Sequence, residues 1–193
     1  IVKFAPEDDP KTAAALGRKG IDVRLLEEAP ELGVIGYGIQ LGPNVFSMLD
    51  RLGVTDAVLA SAIRPKSVKM LDSVDGGVIA RIPTGDSFVQ RFKRPYVVIH
   101  RVDLHKTLLD MCRSLPNVEL VPSAGVTGYE DQGDRVRIDL ADGRQLFGAA
   151  LIGADGIRST VRQQALVEVT PRYAGYAAWR ALNAEKAFPP DVH

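Results

Sequence analysis

The strand-to-helix junction at residues 149–162 constrains the fold of this chain more than any other feature of its sequence. The apolar run 149–152 predicts a buried parallel strand, and it leads directly into a Gly-Ala-Asp-Gly turn that ends at Gly156. Glycines let backbone N–H groups and a helix N-terminus approach a ligand closely, and Asp155 adds a carboxylate among them. The junction therefore suits a nucleotide-containing cofactor, although an ordinary tight turn explains this segment alone equally well.

Helices and strands alternate at both ends of the chain, and an antiparallel insert separates the two ends. Hydrophobic periodicity and turn residues predict helices over 12–19, 43–52 and 104–115. Predicted strands cover 1–2, 21–26, 66–74, 78–82, 96–99, 118–121, 126–130, 135–140, 145–152 and 173–182, and the glycine-rich stretch 33–42 is predicted to be a loop. This order indicates an α/β fold with a mostly parallel sheet and an antiparallel β-meander.

Composition narrows the classes of partner. The chain has 193 residues, of which 46% are hydrophobic and 25% charged, and its formal net charge is zero. Without a basic excess it is not expected to bind nucleic acid or an anionic membrane, and no apolar run is long enough to span a bilayer. The single cysteine, Cys112, excludes a disulfide within the chain and is interpreted as a buried apolar residue, which fits a cytoplasmic location. The three histidines do not form a metal-binding pattern, so no metal is expected.

Three further positions could contact a nucleotide cofactor. Glu27 ends the second predicted strand, where a carboxylate commonly accepts hydrogen bonds from a ribose, and a solvated acidic residue is an equally good explanation. Arg101 lies between a strand and a helix, where its guanidinium could reach a phosphate or pair with Asp103. The tract around Gln40 could line a flat ring system or could simply be a turn-rich loop.

Taken in order, these motifs resemble one known family. The segments that carry the resemblance are Leu26-Glu27-Glu28-Ala29-Pro30-Glu31, the tract 38–44, Ile82-Pro83-Thr84-Gly85, Tyr96 through His105 and Gly153 through Arg162. They are similar to the class A flavoprotein monooxygenases, the single-component FAD-dependent aromatic hydroxylases, and most similar to the 3-hydroxybenzoate 6-hydroxylase and salicylate hydroxylase group. The resemblance covers residues 15–182. It implies a glutathione-reductase-like, Rossmann-type FAD-binding domain.

The resemblance also implies roles for particular residues. The positions it assigns to cofactor binding are Glu27, Glu28, Gln40, Arg101, Ala124, Asp155 and Gly156. Glu27 would hold the adenosine ribose with Glu28 beside it, Ala124 would offer backbone to the adenine, and Gln40 would face the flavin. Arg101 would contact FAD, while Asp155 and Gly156 would serve both FAD and NAD(P)H. No catalytic acid or base is implied within these residues.

Two departures from the family pattern stand out. The family opens with a strand and a Gly-x-Gly-x-x-Gly turn that cradles the FAD pyrophosphate, whereas residues 3–12 contain no glycine, two prolines and three consecutive acidic residues. This segment is not expected to bind a pyrophosphate in the usual way. The chain is also about half the length of a family member, so we expect it to be part of a longer protein, truncated before most of the substrate domain.

These expectations define domains and a function. Residues 1–170 are predicted to form the FAD-binding domain, with 64–98 contributing to a substrate-side sheet that 171–193 begins. In the last segment, Trp179 is expected to pack in a core. The implied activity is hydroxylation of a small phenolic acid with NAD(P)H and O2, and a homodimer is compatible with it. The alternatives are a reductase or dehydrogenase of the same fold that does not insert oxygen, and an inert, flavin-free fragment.

Overall fold

A computed structural model describes residues 2–4, 10–32, 36–166 and 172–178. The described strands are β1 (Val2–Phe4), β2 (Val23–Leu26), β3 (Gly38–Leu41), β4 (Ser67–Leu71), β5 (Val78–Pro83), β6 (Val97–His100), β7 (Val118–Val121), β8 (Val126–Asp131), β9 (Val136–Leu140), β10 (Gln145–Gly148) and β11 (Ile152–Ala154). The described helices are α1 (Lys11–Gly17), α2 (Phe46–Leu52, after a 3₁₀ turn at Pro43–Val45), α3 (Thr55–Ser61), α4 (Asp86–Phe92), α5 (Arg101–Arg113) and α6 (Thr160–Ala165).

A four-stranded parallel sheet in the order β11-β1-β2-β7 organises the fold. Helices α1 and α5 pack against this sheet. Helix α5 does so through one face, on which Leu104, Leu108 and Cys112 are buried at four-residue spacing. Helix α1 comes very close to β7. A Cβ on Gly17 would lie 2.4 Å from Cγ2 of Val118, so only glycine allows this separation.

The antiparallel meander β10-β9-β8 forms a second layer. It has its own small core, made of Leu26, Ala124, Val126, Ile138 and Leu140. Helix α6 joins the open side of β8 through one side chain: the Gln164 amide accepts a hydrogen bond from the Tyr129 N–H at 3.0 Å and donates one to the Tyr129 carbonyl. This side chain therefore occupies the backbone groups that a further strand would use.

Two antiparallel pairs complete the described fold. Strands β3 and β6 pair with Gly38 opposite His100 and Leu41 opposite Val97. Strands β4 and β5 form a hairpin, and every residue of β5 is exposed. Apolar side chains on this hairpin and on α4 are open to solvent: Met70, Leu71, Val78, Ile79, Ile82, Val89 and Phe92.

Most of the sequence-based architecture is confirmed. The structure has an α/β fold in which a parallel sheet is combined with an antiparallel meander, as predicted. The hairpin at 66–82 and the helix after Arg101 are also where the sequence placed them. Cys112 is buried, and desolvation raises the pKa of its thiol to about 11, which keeps it neutral at physiological pH.

Several predictions are wrong in detail. Residues 38–41 form β3 rather than a loop, because Ile39 and Leu41 alternate toward the core despite the surrounding glycines. The single strand predicted at 145–152 is two strands, since β10 pairs antiparallel with β9 whereas β11 pairs parallel with β1. Ala149, Ala150 and Ile152 are consequently exposed rather than buried, and line an open groove of about 700 Å³.

Other differences concern short elements. Helices α3 and α4 were not predicted; α3 starts where the Thr55 hydroxyl donates to the Asp50 carboxylate at 2.6 Å. Residues 172–178 show no strand, and the rest of the strand predicted at 173–182, including Trp179, lies outside the described residues. None of the described helices has the length and hydrophobicity needed to cross a bilayer.

Candidate cofactor site

Five of the seven candidate site residues lie at the carboxyl ends of the parallel strands. Glu27 directly follows β2, Ala124 lies three residues after β7, and Asp155 directly follows β11. Since these strands are parallel neighbours in one sheet, their carboxyl ends share one edge. The open groove near Ile152 lies at the opposite, amino edge and is not this site.

Glu27 has the geometry of a pre-oriented acceptor. Its side chain is 6% exposed, and one carboxylate oxygen, Oε1, accepts the Ala29 N–H at 2.9 Å. Its backbone N–H donates to Val121 at 3.0 Å, and its carbonyl accepts from Ala124 at 2.7 Å. Within the described part of the chain the Ala29 N–H is the one donor to this carboxylate, so Oε2 keeps its lone pairs for a ligand.

Ala124 and Glu28 complete the same turn. Ala124 is 1% exposed, and because its N–H is donated to Glu27, a backbone contact from this residue to an adenine would use its carbonyl oxygen. Glu28 is exposed, and its side chain lies beside Gly125, the residue that follows Ala124. Its Cγ is 3.4 Å from where a Cβ on Gly125 would lie. The structure therefore brings Glu27, Glu28 and Ala124 together, as a ribose and adenine site requires.

The other two candidates lie on the β3–β6 ribbon, at separate positions along it. Gln40 is an exposed residue of β3 opposite Val98. Arg101 starts α5 directly after β6, is half-buried, and donates its backbone N–H to Tyr37 at 3.1 Å. The side chain of His100 caps α5 by accepting the Val102 N–H.

The Asp155 carboxylate is engaged by its own loop. It accepts hydrogen bonds from the Ser159 hydroxyl and from the Val161 N–H, the latter at 3.2 Å. Ser159 is 5% exposed and caps α6 by accepting the Arg162 N–H at 2.9 Å. Asp155 thus joins the carboxyl end of β11 to the start of α6, a structural role that the sequence did not reveal.

Arg162 and Gly156 hold the remaining turn. The Arg162 guanidinium donates to the carbonyls of Gly156 at 3.4 Å and Ile157 at 2.5 Å, and Gly156 has a φ of 71°, which favours glycine. Sequence reasoning missed Ser159 and Arg162 as loop-forming residues, although a serine before a polar helical segment is a recognisable N-cap signal. Within the described residues, no cluster of His, Cys, Asp or Glu could hold a metal ion.

Comparison with known proteins decides the family. Residues 11–191 match the FAD-binding domain family. The chain belongs to this family of FAD-binding domains. The match begins at residue 11, near the end of the glycine-free segment 3–12 that departs from the family's usual opening, and residues 5–9 lie outside the described structure.

Several relatives of this FAD-binding domain are named as hydroxylases of aromatic acids. It is 43% identical over 177 residues to 3-hydroxybenzoate 6-hydroxylase of Polaromonas naphthalenivorans (strain CJ2), covering 92% of this chain and 44% of that protein. It is 41% identical to 3-hydroxybenzoate 6-hydroxylase of Klebsiella oxytoca, covering 94% of this chain and 45% of that protein. The chain therefore spans less than half the length of these relatives, and the resemblance to this class is confirmed.

A solved structure agrees with this assignment. The tetrameric form of 2-methyl-3-hydroxypyridine-5-carboxylic acid oxygenase superposes with a TM-score of 0.72 at 27% identity, over 85% of this chain and 41% of that one. The residues present are chemically compatible with FAD: Glu27, at the carboxyl edge, is the kind of acceptor that a ribose needs, and Arg101, directly after β6, carries the kind of cation that a diphosphate needs.

Proposed function

We propose that this chain is the FAD-binding part of a flavin monooxygenase that hydroxylates a small aromatic acid, using NAD(P)H and O2. The buried Glu27 carboxylate, fixed at the carboxyl edge of the sheet with one oxygen available, is the observation that carries the proposal. Relatives named 3-hydroxybenzoate 6-hydroxylase support the aromatic acid as substrate class. A cytoplasmic location and a homodimer stay predictions.

Each site residue has a physical task in this proposal. Glu27 accepts hydrogen bonds from the adenosine ribose, with Glu28 beside it, and the Arg101 guanidinium pairs with the diphosphate. Gln40 borders the ring system without adding a charge. Bound FAD supplies the redox and oxygen chemistry, while the chain contributes binding, orientation and the exclusion of water.

The segment from Asp155 to Gly156 contributes backbone groups, rather than a side chain, to the site. The Ser159 and Val161 hydrogen bonds use the Asp155 carboxylate internally, so this segment presents backbone groups to FAD and NAD(P)H. We propose that Ala124 likewise uses its backbone and offers its carbonyl to the adenine, because its N–H already donates to Glu27.

FAD titration of the purified chain tests the proposal. We expect quenching of flavin fluorescence on binding and a yellow protein after gel filtration, because the ribose and diphosphate partners lie within these residues. A colourless chain that leaves the fluorescence of added FAD unchanged would support the inert-fragment alternative instead. On the longer parent, product analysis after NAD(P)H reduction and exposure to O2 separates a hydroxylase, which yields a hydroxylated aromatic acid, from a reductase that yields only reduced oxygen species.

We also propose that residues 1–170 form the FAD-binding domain, that 64–98 contribute to a substrate-side sheet, and that 171–193 begin the remainder of that sheet. The exposed apolar residues of the β4–β5 hairpin support this division, since a two-stranded ribbon with both faces open is marginal by itself.

Hydrogen exchange tests this domain assignment. We expect backbone amides of β5 to exchange at least tenfold faster in this chain than in the longer parent, because the parent would cover the hairpin. Amides of β9, which lies in the middle of the meander, serve as the internal control and should exchange alike in both. Equal exchange of β5 in the two proteins would contradict the assignment.

A further inference from the structure

Gly36 lies directly against the side chain of Arg101. A Cβ placed on Gly36 would lie 2.7 Å from Cδ of Arg101, 2.9 Å from its Cβ and 3.2 Å from its Cγ. Distances under 3.0 Å are closer than carbon atoms approach without one of them moving. The aliphatic part of Arg101 thus occupies the space that any larger residue at position 36 would need.

Strand pairing fixes this contact from both sides. Gly38 lies opposite His100, and the Arg101 N–H continues the pairing to the Tyr37 carbonyl. The next residue back along the chain, Gly36, is thereby brought beside Arg101. Helix α5 starts at Arg101 and is anchored by buried Leu104 and Leu108, so the arginine backbone cannot retreat without moving a packed helix.

Space, rather than backbone conformation, explains the glycine. The φ of Gly36 lies outside the left-handed region, so alanine could adopt the same backbone. Gly38, two residues along the same ribbon, differs, since its Cβ would meet Cγ1 of Val98 at 3.3 Å and would not touch Arg101. Comparing alanine substitutions at Gly36 and Gly38 therefore separates displacement of the Arg101 side chain from a general disturbance of the β3–β6 ribbon.

We propose that Gly36 is a positioning residue that holds the Arg101 guanidinium in the direction needed to pair with the FAD diphosphate. The inference rests on the proposed function of this site. An arginine whose stem is packed against a bare backbone loses less rotational freedom on binding than one that moves freely, and its guanidinium is already oriented. An added methyl group at position 36 would turn the stem away and leave the charge in place but misdirected.

A double-mutant cycle tests the proposal. The variants are Gly36→Ala, Arg101→Gly and the two combined, with Gly38→Ala as the matched ribbon control; glycine at position 101 also removes the Cβ that an alanine at position 36 would meet. Gly85→Ala is a neutral control, because no atom lies within 4 Å of its added Cβ. For each variant, the FAD dissociation constant is measured by flavin fluorescence at several salt concentrations, and the thermal midpoint is measured without FAD.

We expect the substitutions at Gly36 and Arg101 to weaken FAD binding through the same contact. Arg101→Gly should raise the FAD dissociation constant about tenfold or more, as loss of a charged hydrogen bond does. Gly36→Ala should raise it about fivefold and flatten its salt dependence, because the charge pair is misaligned. In the Arg101→Gly background it should change the dissociation constant by less than about twofold. Gly38→Ala should leave the salt dependence unchanged, whatever its thermal midpoint.

Three results would overturn the inference alone: unchanged FAD affinity in Gly36→Ala, losses that multiply in the double variant, or a Gly36→Ala chain that does not fold while Gly38→Ala does. The last would mean that the glycine serves stability rather than the arginine. If the unsubstituted chain itself does not bind FAD, the proposed function falls and the positioning role falls with it.

Discussion

Replacement of Asp155 by alanine is expected to lower the free energy of unfolding by about 2–4 kcal/mol, since it removes two hydrogen bonds to a carboxylate. The Ser159 hydroxyl and the Val161 N–H would lose their acceptor, and Ser159 is nearly fully buried. Without them, α6 and the turn at Gly156 are no longer held to β11, so FAD binding should be lost as well. Urea denaturation followed by circular dichroism, and FAD titration, measure the two effects.

Asp142→Ala is the matched control for this prediction. Asp142 accepts hydrogen bonds from the Arg144 N–H and guanidinium in a surface turn, and its side chain is 46% exposed. Its removal should lower the unfolding free energy far less than removal of Asp155, because exposed ion pairs contribute little. An Asp155→Ala chain as stable as Asp142→Ala would show that the loop does not depend on its carboxylate.

Replacement of Glu27 by glutamine is expected to weaken FAD binding at least about tenfold, because a ribose hydroxyl would meet an amide donor instead of a carboxylate acceptor. The substitution preserves shape, and the amide oxygen can still accept the Ala29 N–H, so the fold should remain intact. Flavin fluorescence titration measures the affinity, and circular dichroism confirms the fold.

Glu119→Gln provides the comparison for this variant. Glu119 lies on the neighbouring strand β7 and pairs with Arg24 at the surface, with 62% of its side chain exposed. It should bind FAD as the unsubstituted chain does. Equal affinity for FAD in the Glu27→Gln and Glu119→Gln variants would remove Glu27 from the site and take away the main support for the proposed function.

The parts of the fold that follow from local periodicity could be predicted from the sequence. Helix α5 is an example, because Leu104, Leu108 and Cys112 recur at four-residue spacing. The strand at 145–152 was predicted wrongly because an uninterrupted apolar run does not show where one sheet ends and another begins. That boundary is set by pairing with β9 on one side and β1 on the other, which are distant in sequence.

In the candidate site, too, some features could be predicted from local sequence and others depend on contacts that a sequence does not show. Glu27 and Arg101 could be selected as candidates from their positions at the ends of strands, because cofactors bind at such ends in α/β folds. The internal use of the Asp155 carboxylate could not, since a sequence does not show whether a polar atom is directed to a ligand or to its own loop. Gly36 stood out only as one glycine of a predicted loop, and its contact with Arg101 could not be predicted because the two residues are 65 positions apart and no motif links them.

The amide of Gln164 has a consequence for how the chain behaves in a crowded solution. An unpaired outer strand invites strands of other molecules to add to it, which is a route to aggregation. By taking both main-chain groups of Tyr129, this one side chain interrupts the row of bonding positions along β8. A strand from another molecule could not pair with β8 at Tyr129 without first displacing the Gln164 amide. This residue of α6 therefore protects the edge of the meander against aggregation by strand addition.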